Sequence, residues 1–197
     1  MNKRTKDNFK KLGLIAFSLI LSIGAFAQAK YSSKTLSLTV SGTSTLHDWD
    51  MKSSVGTFEG NFTLNAAGAL TAVNGLSFST KAESLKSGHD AMDKNAYKAL
   101  KSDKNAMITF TSNTATITNL DVSDYSVKSA GKLTIAGTTL DAEIVATCKV
   151  NADKSITVMG SKKISMKEFG MAPPTFMMGT IKTGNDVTLK FDMKLNK

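Results

Sequence analysis

The chain has 197 residues, a length that suits one domain, and it carries a formal net charge of +9. Its single cysteine excludes an internal disulfide, so the stability of the domain must come from its core. The lysines are scattered, with no run of five or more basic residues after position 27, which argues against nucleic acid as a partner.

The first 27 residues have the three parts of a secretory signal peptide. Five basic residues lie within positions 3–11, the run Leu12–Phe26 is apolar apart from Gly and Ser, and Ala25-Phe26-Ala27 is a small-x-small cleavage pattern. The alternative is a membrane anchor, but the apolar run is shorter than the roughly 20 residues that a spanning helix needs. The sequence therefore predicts cleavage near Ala27 and export of residues 28–197 to the periplasm or beyond.

After the leader, most of the chain alternates between apolar and polar residues, as expected for strands with one buried and one wet face. The longer alternating rows, in chain order, are Leu36–Val40, Phe58–Leu64, Ile144–Val150 and Val187–Leu195. The shorter predicted strands are Leu76–Thr80, Met107–Thr111, Ala115–Thr118, Lys132–Ala136 and Ile156–Met159. Thr, Val and Ile are abundant in these segments, which favours strands, and Gly and Asn separate them.

One segment breaks this rhythm with helical spacing. The residues that share one helical face within positions 88–103 are Met92, Ala96, Tyr97 and Leu100. Ser87 or Asp90 is placed to cap the start of this helix. The pattern predicts an all-β domain of eight to ten strands with one short helix inserted mid-chain. Many short alternating strands are typical of a sandwich or a barrel, and a closed barrel of about eight strands can hold one small ligand.

Five segments carry further information through their order and spacing. They are the first strand and turn at Val40–Trp49, the helical segment Met92–Lys101, an I-T-F strand at Met107–Phe110, a G-x-L-T-x-x-G hairpin at Gly131–Gly137, and a D-F-G-like stretch with Glu for Asp at Lys167–Met171. Together they resemble the YceI-like family of exported, lipocalin-like, polyisoprenoid-binding proteins. The resemblance covers nearly all of residues 28–197. One departure is T-L-H-D-W at Thr45–Trp49, where the family commonly has His-Ser-x-x-x-F.

This resemblance implies a single antiparallel, lipocalin-like β-barrel with an internal apolar cavity. It also implies a non-catalytic protein, without a covalently bound cofactor, that holds an isoprenoid, a quinone or a related lipid. The departure at Thr45–Trp49 leaves the ligand and its head group open. Alternation alone does not distinguish a hollow barrel from a filled one, so a secreted structural domain that acts through surface contacts is the alternative.

The candidate ligand-binding residues come from the inward rows, the helix and one apolar loop. On the strands and the helix they are Leu38, Val40, Phe58, Phe62, Phe78, Phe110, Leu189 and Phe191, with Met92 and Leu100. The stretch 169–179 is a loop by its Pro-Pro pair and glycines, yet it is strongly apolar. It is either a plug for one barrel end or a portal that touches a membrane transiently. Its candidate residues are Phe169, Met171, Phe176, Met177 and Met178.

The polar residues offer weak evidence for catalysis. The two histidines form the dipeptides His47-Asp48 and His89-Asp90, and a catalytic zinc would need three protein ligands brought together from them. Cys148 lies on an inward row with no His near it in sequence, as expected for an inert buried thiol. The sequence therefore predicts neither a metal site nor a catalytic residue.

Two further features are open to two interpretations. Trp49, the single tryptophan, either wedges the barrel mouth or stacks on a ligand. The charged residues Asp93, Lys94 and Lys98 near the helix start are either solvated or meet a polar head group.

Overall fold

The computed structural model describes residues 27–197, so the predicted leader lies outside the described part of the chain apart from Ala27. Nine strands form within this part. They are β1 (Ala27–Ser44), β2 (Trp49–Leu64), β3 (Leu70–Lys81), β4 (Met107–Asn119), β5 (Asp124–Ile135), β6 (Thr138–Val150), β7 (Ile156–Ser165), β8 (Thr175–Phe176) and β9 (Ile181–Leu195). Helix α1 (Asp90–Leu100) lies between β3 and β4, and short 3-10 turns occur at Ala82–Ser84 and Met177–Gly179.

Eight of these strands close into a barrel. From β1 to β7 each strand pairs antiparallel with the next, β7 pairs with β9, and β9 returns to pair with β1. The two-residue strand β8 pairs with β9 alone, outside the barrel sheet. The predicted all-β, antiparallel barrel of about eight strands with one inserted helix is therefore confirmed. The predicted strands at Met107–Thr111 and Ala115–Thr118 are one strand, β4, with a register shift between Thr111 and Thr114.

The connections differ between the two ends of the barrel. At the closed end the strands are joined by the short turns 65–69, 120–123 and 151–155. At the open end the connections include the loop 45–48, the helical segment 82–106 and the apolar stretch 166–180. Because all strands alternate in direction, these two sets of connections lie at opposite ends.

Large side chains fill the closed end. Tyr31, Phe62, Ile156 and Leu195 are almost completely buried there. The rings of Tyr31 and Phe62 meet edge to face with centroids 5.4 Å apart, and the Tyr31 hydroxyl donates a hydrogen bond to the Lys154 carbonyl at 3.1 Å. The closed end is therefore a packed core that holds the start of β1, the end of β9 and the turns together.

Helix α1 is held at the open end by hydrogen bonds at its two ends. Neither Ser87 nor Asp90 caps its start as the sequence predicted; the residue before the helix is His89, which makes no side-chain cap bond. Instead the carboxylate of Asp93 reaches back and accepts the backbone N–H of Ser87 at 2.8 Å and its hydroxyl at 2.7 Å. The helix ends at Lys101, which adopts the left-handed conformation with φ 52°. The Tyr97 hydroxyl also donates to the Leu85 carbonyl at 2.8 Å and ties α1 to the preceding segment.

Strands β6 and β7 pair over a short part of their length. Their register runs from Ala146 opposite Gly160 to Val150 opposite Ile156, next to the closed end. Beyond it, positions 138–145 of β6 and 161–165 of β7 have no ladder partner across this boundary. We call this boundary the β6–β7 seam. The seam is the place where the barrel wall is least complete.

Candidate ligand cavity

The barrel encloses an apolar cavity of about 610 Å³ that reaches from the open end to inward residues near the closed end, among them Phe62, Cys148 and Val158. This volume is typical of sites that bind small molecules, which span roughly 300–1,000 Å³. Inward side chains of the barrel strands form its wall, and the residues of α1 that face it include Met92, Ala96 and Leu100. The barrel is therefore filled at the closed end and hollow toward the open end.

Thirteen of the fifteen candidate residues line this cavity. They are Leu38, Val40, Phe58, Phe62, Phe78, Met92, Leu100, Phe110, Met171, Phe176, Met177, Leu189 and Phe191. The other two lie elsewhere: Phe169 is buried but is not among the lining residues, and the side chain of Met178 is fully exposed. That the lining residues contact a ligand stays a prediction.

The apolar stretch after β7 divides into a buried and an exposed half. Met166, Phe169 and Met171 are buried, whereas Met177 is 76% exposed. A Cβ atom placed on Gly170 would lie 3.3 Å from Oγ1 of Thr138, so the buried half crosses the open end beside the start of β6. The first half thus packs into the open end as a plug would, and the second half lies at the cavity mouth; that the second half is a portal stays a prediction.

Much of the cavity wall was not predicted from the sequence, because several strands are longer than the predicted ones. The lining residues outside the predicted strands include Met51 on β2, Val73 on β3, and Val127 and Ser129 on β5. On β5 the available signal was the alternation that begins with Tyr125 and Val127. It was weak because the next two inward positions are Ser129 and Gly131. On β7 the inward row continues past the predicted strand end through Gly160 and Lys162 to Ile164.

The two histidines both line the cavity mouth. His47 lies in the β1–β2 loop, with its Nδ1 atom 2.6 Å from the Asp48 carbonyl, and His89 precedes α1. Ser44 shapes the loop, since its hydroxyl oxygen accepts the His47 backbone N–H at 3.1 Å. Among residues 27–197 no three His, Cys, Asp or Glu side chains are grouped so that they could hold a metal ion. The two His-Asp dipeptides therefore do not build the three-ligand site that metal catalysis would require.

The charged residues of α1 do not line the cavity. Asp93 is buried, and Lys94 and Lys98 are exposed. Burial alone would raise the pKa of Asp93, but the hydrogen bonds from Ser87 and the ammonium group of Lys86, 3.7 Å away, hold this pKa below its usual value. Asp93 therefore stabilises the start of the helix as an ionised group.

Two other singled-out residues lie in the cavity wall. The indole Nε1 of Trp49 donates to the Thr43 carbonyl at 3.0 Å, and its ring lies against Gly42, the residue opposite on β1. Cys148 lies on the inward row of β6, and burial raises the pKa of its thiol to about 12. Trp49 thus stands in the wall near the mouth, and Cys148 is a neutral thiol at ordinary pH.

No helix within residues 27–197 combines the length and the hydropathy that a membrane crossing would require.

Comparisons with known proteins agree with this architecture. The family described as the YceI-like domain matches residues 26–195. A search of curated proteins gave no match. Three solved structures share the fold at low sequence identity. They are BcnA of Burkholderia cenocepacia (16% identity, TM-score 0.62, 82% of this chain and 96% of that chain covered), a polyisoprenoid-binding domain from Saccharophagus degradans implicated in plant cell wall breakdown (12%, 0.62, 86% and 99%), and the YceI protein of Campylobacter jejuni (20%, 0.51, 71% and 81%).

Proposed function

From the premise that this chain belongs to the YceI-like family, we propose that it is a non-catalytic protein that binds, carries or stores a long apolar ligand in its barrel cavity. An isoprenoid, a quinone or a related lipid is the ligand class that we propose, and the periplasm is the proposed compartment. The observation that carries the proposal is the apolar cavity of about 610 Å³ inside a closed barrel. A structural domain that acts through surface contacts has no need for such a space.

The proposed binding is passive and driven by burial of apolar surface. Each CH₂ group moved from water into an apolar site contributes about 0.8 kcal/mol. Most residues in the wall are aliphatic or aromatic, so an apolar chain enters without leaving many polar groups unpaired. A chain of a dozen or more carbons would thus bind with useful affinity after the costs of immobilising it are subtracted.

The cavity mouth supplies a surface through which a lipid could arrive. Leu46 and Met177 both line the cavity and are 66% and 76% exposed. Met178, next to Met177, is also fully exposed. Exposed apolar residues grouped at one opening are typical of a contact surface. We propose transient contact of this rim with a membrane, which would let a lipid pass without crossing water.

The first experiment is native mass spectrometry of the protein purified gently from cells that export it, followed by solvent extraction. We expect a polypeptide that begins at Gln28 together with a discrete added mass that is released as an apolar lipid. A polypeptide that retains its first 27 residues would contradict export by cleavage. A bare polypeptide that also takes up no offered isoprenoid, quinone or fatty acid would contradict the carrier function.

A pair of variants tests whether the cavity itself is the binding site. Ala146 lines the cavity on β6, and Thr147 follows it on the same strand without lining it. Ala146→Phe should reduce the bound lipid at least tenfold because the ring takes up cavity space, whereas Thr147→Phe should retain it. Thermal unfolding of both variants shows whether the barrel is intact. Equal lipid content in the two folded variants would place the ligand elsewhere.

A further inference from the structure

Lys162 faces the cavity from the barrel wall. It lies directly opposite Leu189 on β9, and residues directly opposite in a ladder share one face of the sheet. Leu189 lines the cavity, and so does Lys162. Among the cavity-lining residues within positions 27–197, Lys162 alone carries a formal charge at neutral pH when His is counted as neutral. A single cation is thus set into an otherwise nearly apolar wall.

No carboxylate of the described chain neutralises this cation. The ion pairs present among residues 27–197 involve other lysines, including the neighbouring Lys163, whose Nζ lies 2.8 Å from the Asp186 carboxylate. The side chain of Lys162 is half-buried. A cation that lines an apolar cavity without a carboxylate partner offers a favourable position for an anion supplied from outside the chain.

A second polar group lies at the same level of the wall. Ser129 on β5 is 4% exposed and lines the cavity, and its hydroxyl makes no hydrogen bond within residues 27–197. Ser129 lies opposite Ile144 on β6, and continuing the β6–β7 register by two residues brings Ile144 level with Lys162. Ser129 and Lys162 therefore lie on the strands on either side of β6, at least two strand spacings or about 10 Å apart at the backbone, since β6 and β7 are unpaired at this level.

The β6–β7 seam lies between Ile144 on β6 and Lys162 on β7. Ala146 and Phe191 each line both the main cavity and a depression on the outer surface, so the two spaces share wall residues at this point. Lys162 lies just beyond the last paired residue of β7, Gly160. A charged group bound by Lys162 would thus lie near water while its apolar chain extends into the cavity.

We propose that Lys162 and Ser129 bind the anionic head group of a single-chain amphiphile, a carboxylate or a phosphate, at the β6–β7 seam. This inference rests on the proposed function and adds the head-group class and its position. The Lys162 ammonium donates charge-assisted hydrogen bonds to the anion, and the Ser129 hydroxyl donates one more. The neutral form of the same amphiphile binds through its chain alone.

The test measures four dissociation constants for the purified full-length mature protein freed of lipid. The probes are oleate and farnesyl phosphate as anions, with oleyl alcohol and farnesol as their neutral counterparts. Lys162→Met removes the charge and keeps an unbranched apolar side chain. Lys163→Met removes the same charge from the next residue, which pairs with Asp186 outside the cavity and so serves as the matched control.

We expect Lys162→Met to weaken binding of at least one anion roughly tenfold to a hundredfold, which corresponds to the loss of a hydrogen bond to a charged group. The two alcohols should change less than about twofold, and Lys163→Met should change none of the four. Ser129→Ala should weaken the same anion about threefold to tenfold. The anion that loses more affinity tells whether a carboxylate or a phosphate is preferred.

Two results would overturn the inference. They differ in whether they also contradict the proposed carrier function. If the wild-type protein binds the probes and Lys162→Met leaves the ratio of anion to alcohol affinity unchanged, the head-group site is wrong and the carrier function stands. If the wild-type protein binds none of the four probes, both the head-group site and the carrier function for such chains fail.

Discussion

Gly160 on β7 lies directly opposite Phe191 on β9, and the ring of Phe191 occupies the space that a Cβ atom on residue 160 would need. The same Cβ atom would lie 2.9 Å from the carbonyl oxygen of Val145 on β6. Three strands therefore approach one another closely at this glycine. It is also the last residue of β7 that pairs with β6, so the contact marks the beginning of the β6–β7 seam.

Gly160→Ala should destabilise the barrel by about 1–3 kcal/mol, the usual cost of overpacking. The backbone oxygen of Val145 gives way less easily than a side chain, so β6 and β7 must separate or Phe191 must change its rotamer. Urea unfolding monitored by circular dichroism measures the change. Ser161→Ala, an exposed neighbour on the same strand, is the control and should stay within about 0.5 kcal/mol of wild type. Equal unfolding midpoints for the two variants would mean that this close approach does not constrain the wall.

The strands could be predicted from the sequence because their inward faces are filled by large apolar residues. On β9 every second residue from Val187 to Leu195 is apolar, so the pattern fixes both the strand and its buried face. The cavity could not be predicted in this way, because alternation reports which face is inward but not how far the opposite wall is. Tyr31 and Leu195 fill the closed end, whereas inward residues of the same kinds, such as Phe110 and Leu189, surround empty space.

Lys162 shows a second limit of the same reasoning. A lysine at an inward position ends an alternating apolar pattern, so the predicted strand stopped at Met159 while β7 continues to Ser165. The seam was also absent from the sequence, because it depends on where β6 diverges from β7 and not on the composition of either strand. The residue that we propose binds the head group is therefore one that interrupts an apolar row.

The fluorescence of Trp49 should report occupation of the cavity. Trp49 is the single tryptophan, it lines the cavity, and its Nε1 is already bonded to the Thr43 carbonyl. A bound chain replaces water near the ring, so we expect a shift of emission to shorter wavelength that saturates with lipid. Titration with oleyl alcohol and farnesol measures it. An unchanged spectrum during binding that mass spectrometry detects would place the ligand away from the mouth.

Asp93→Asn should destabilise the start of α1 by about 1–2 kcal/mol at neutral pH, because a neutral amide accepts the two Ser87 hydrogen bonds more weakly. The pKa of Asp93 is lowered in the folded protein, so the ionised carboxylate stabilises the fold above the ordinary Asp value of about 3.8. This stabilisation is lost as the pH falls through the lower folded-state value.

Urea unfolding of wild type and Asp93→Asn between pH 7 and pH 3 measures this difference. The difference in free energy of unfolding between the two proteins should be largest at pH 7 and should decrease toward pH 3. Asp90→Asn, an exposed acid in the same helical turn, is the matched control and should show a smaller change. A difference in free energy of unfolding that stays constant down to pH 3 would mean that the charge of Asp93 does not stabilise the fold.

Cys148 should react very slowly with maleimide in the native protein. Burial raises the pKa of its thiol to about 12, so at pH 8 only about one molecule in ten thousand carries the reactive thiolate. The control is Ser161→Cys in a Cys148→Ala background, which presents one exposed thiol on the outer face of β7. Mass spectrometry over time should show this control labelled at least a hundredfold faster than wild type.

In urea the two proteins should react at similar rates, because unfolding restores the ordinary thiol pKa. Fast labelling of native Cys148 would mean that its thiol is not buried in the native barrel.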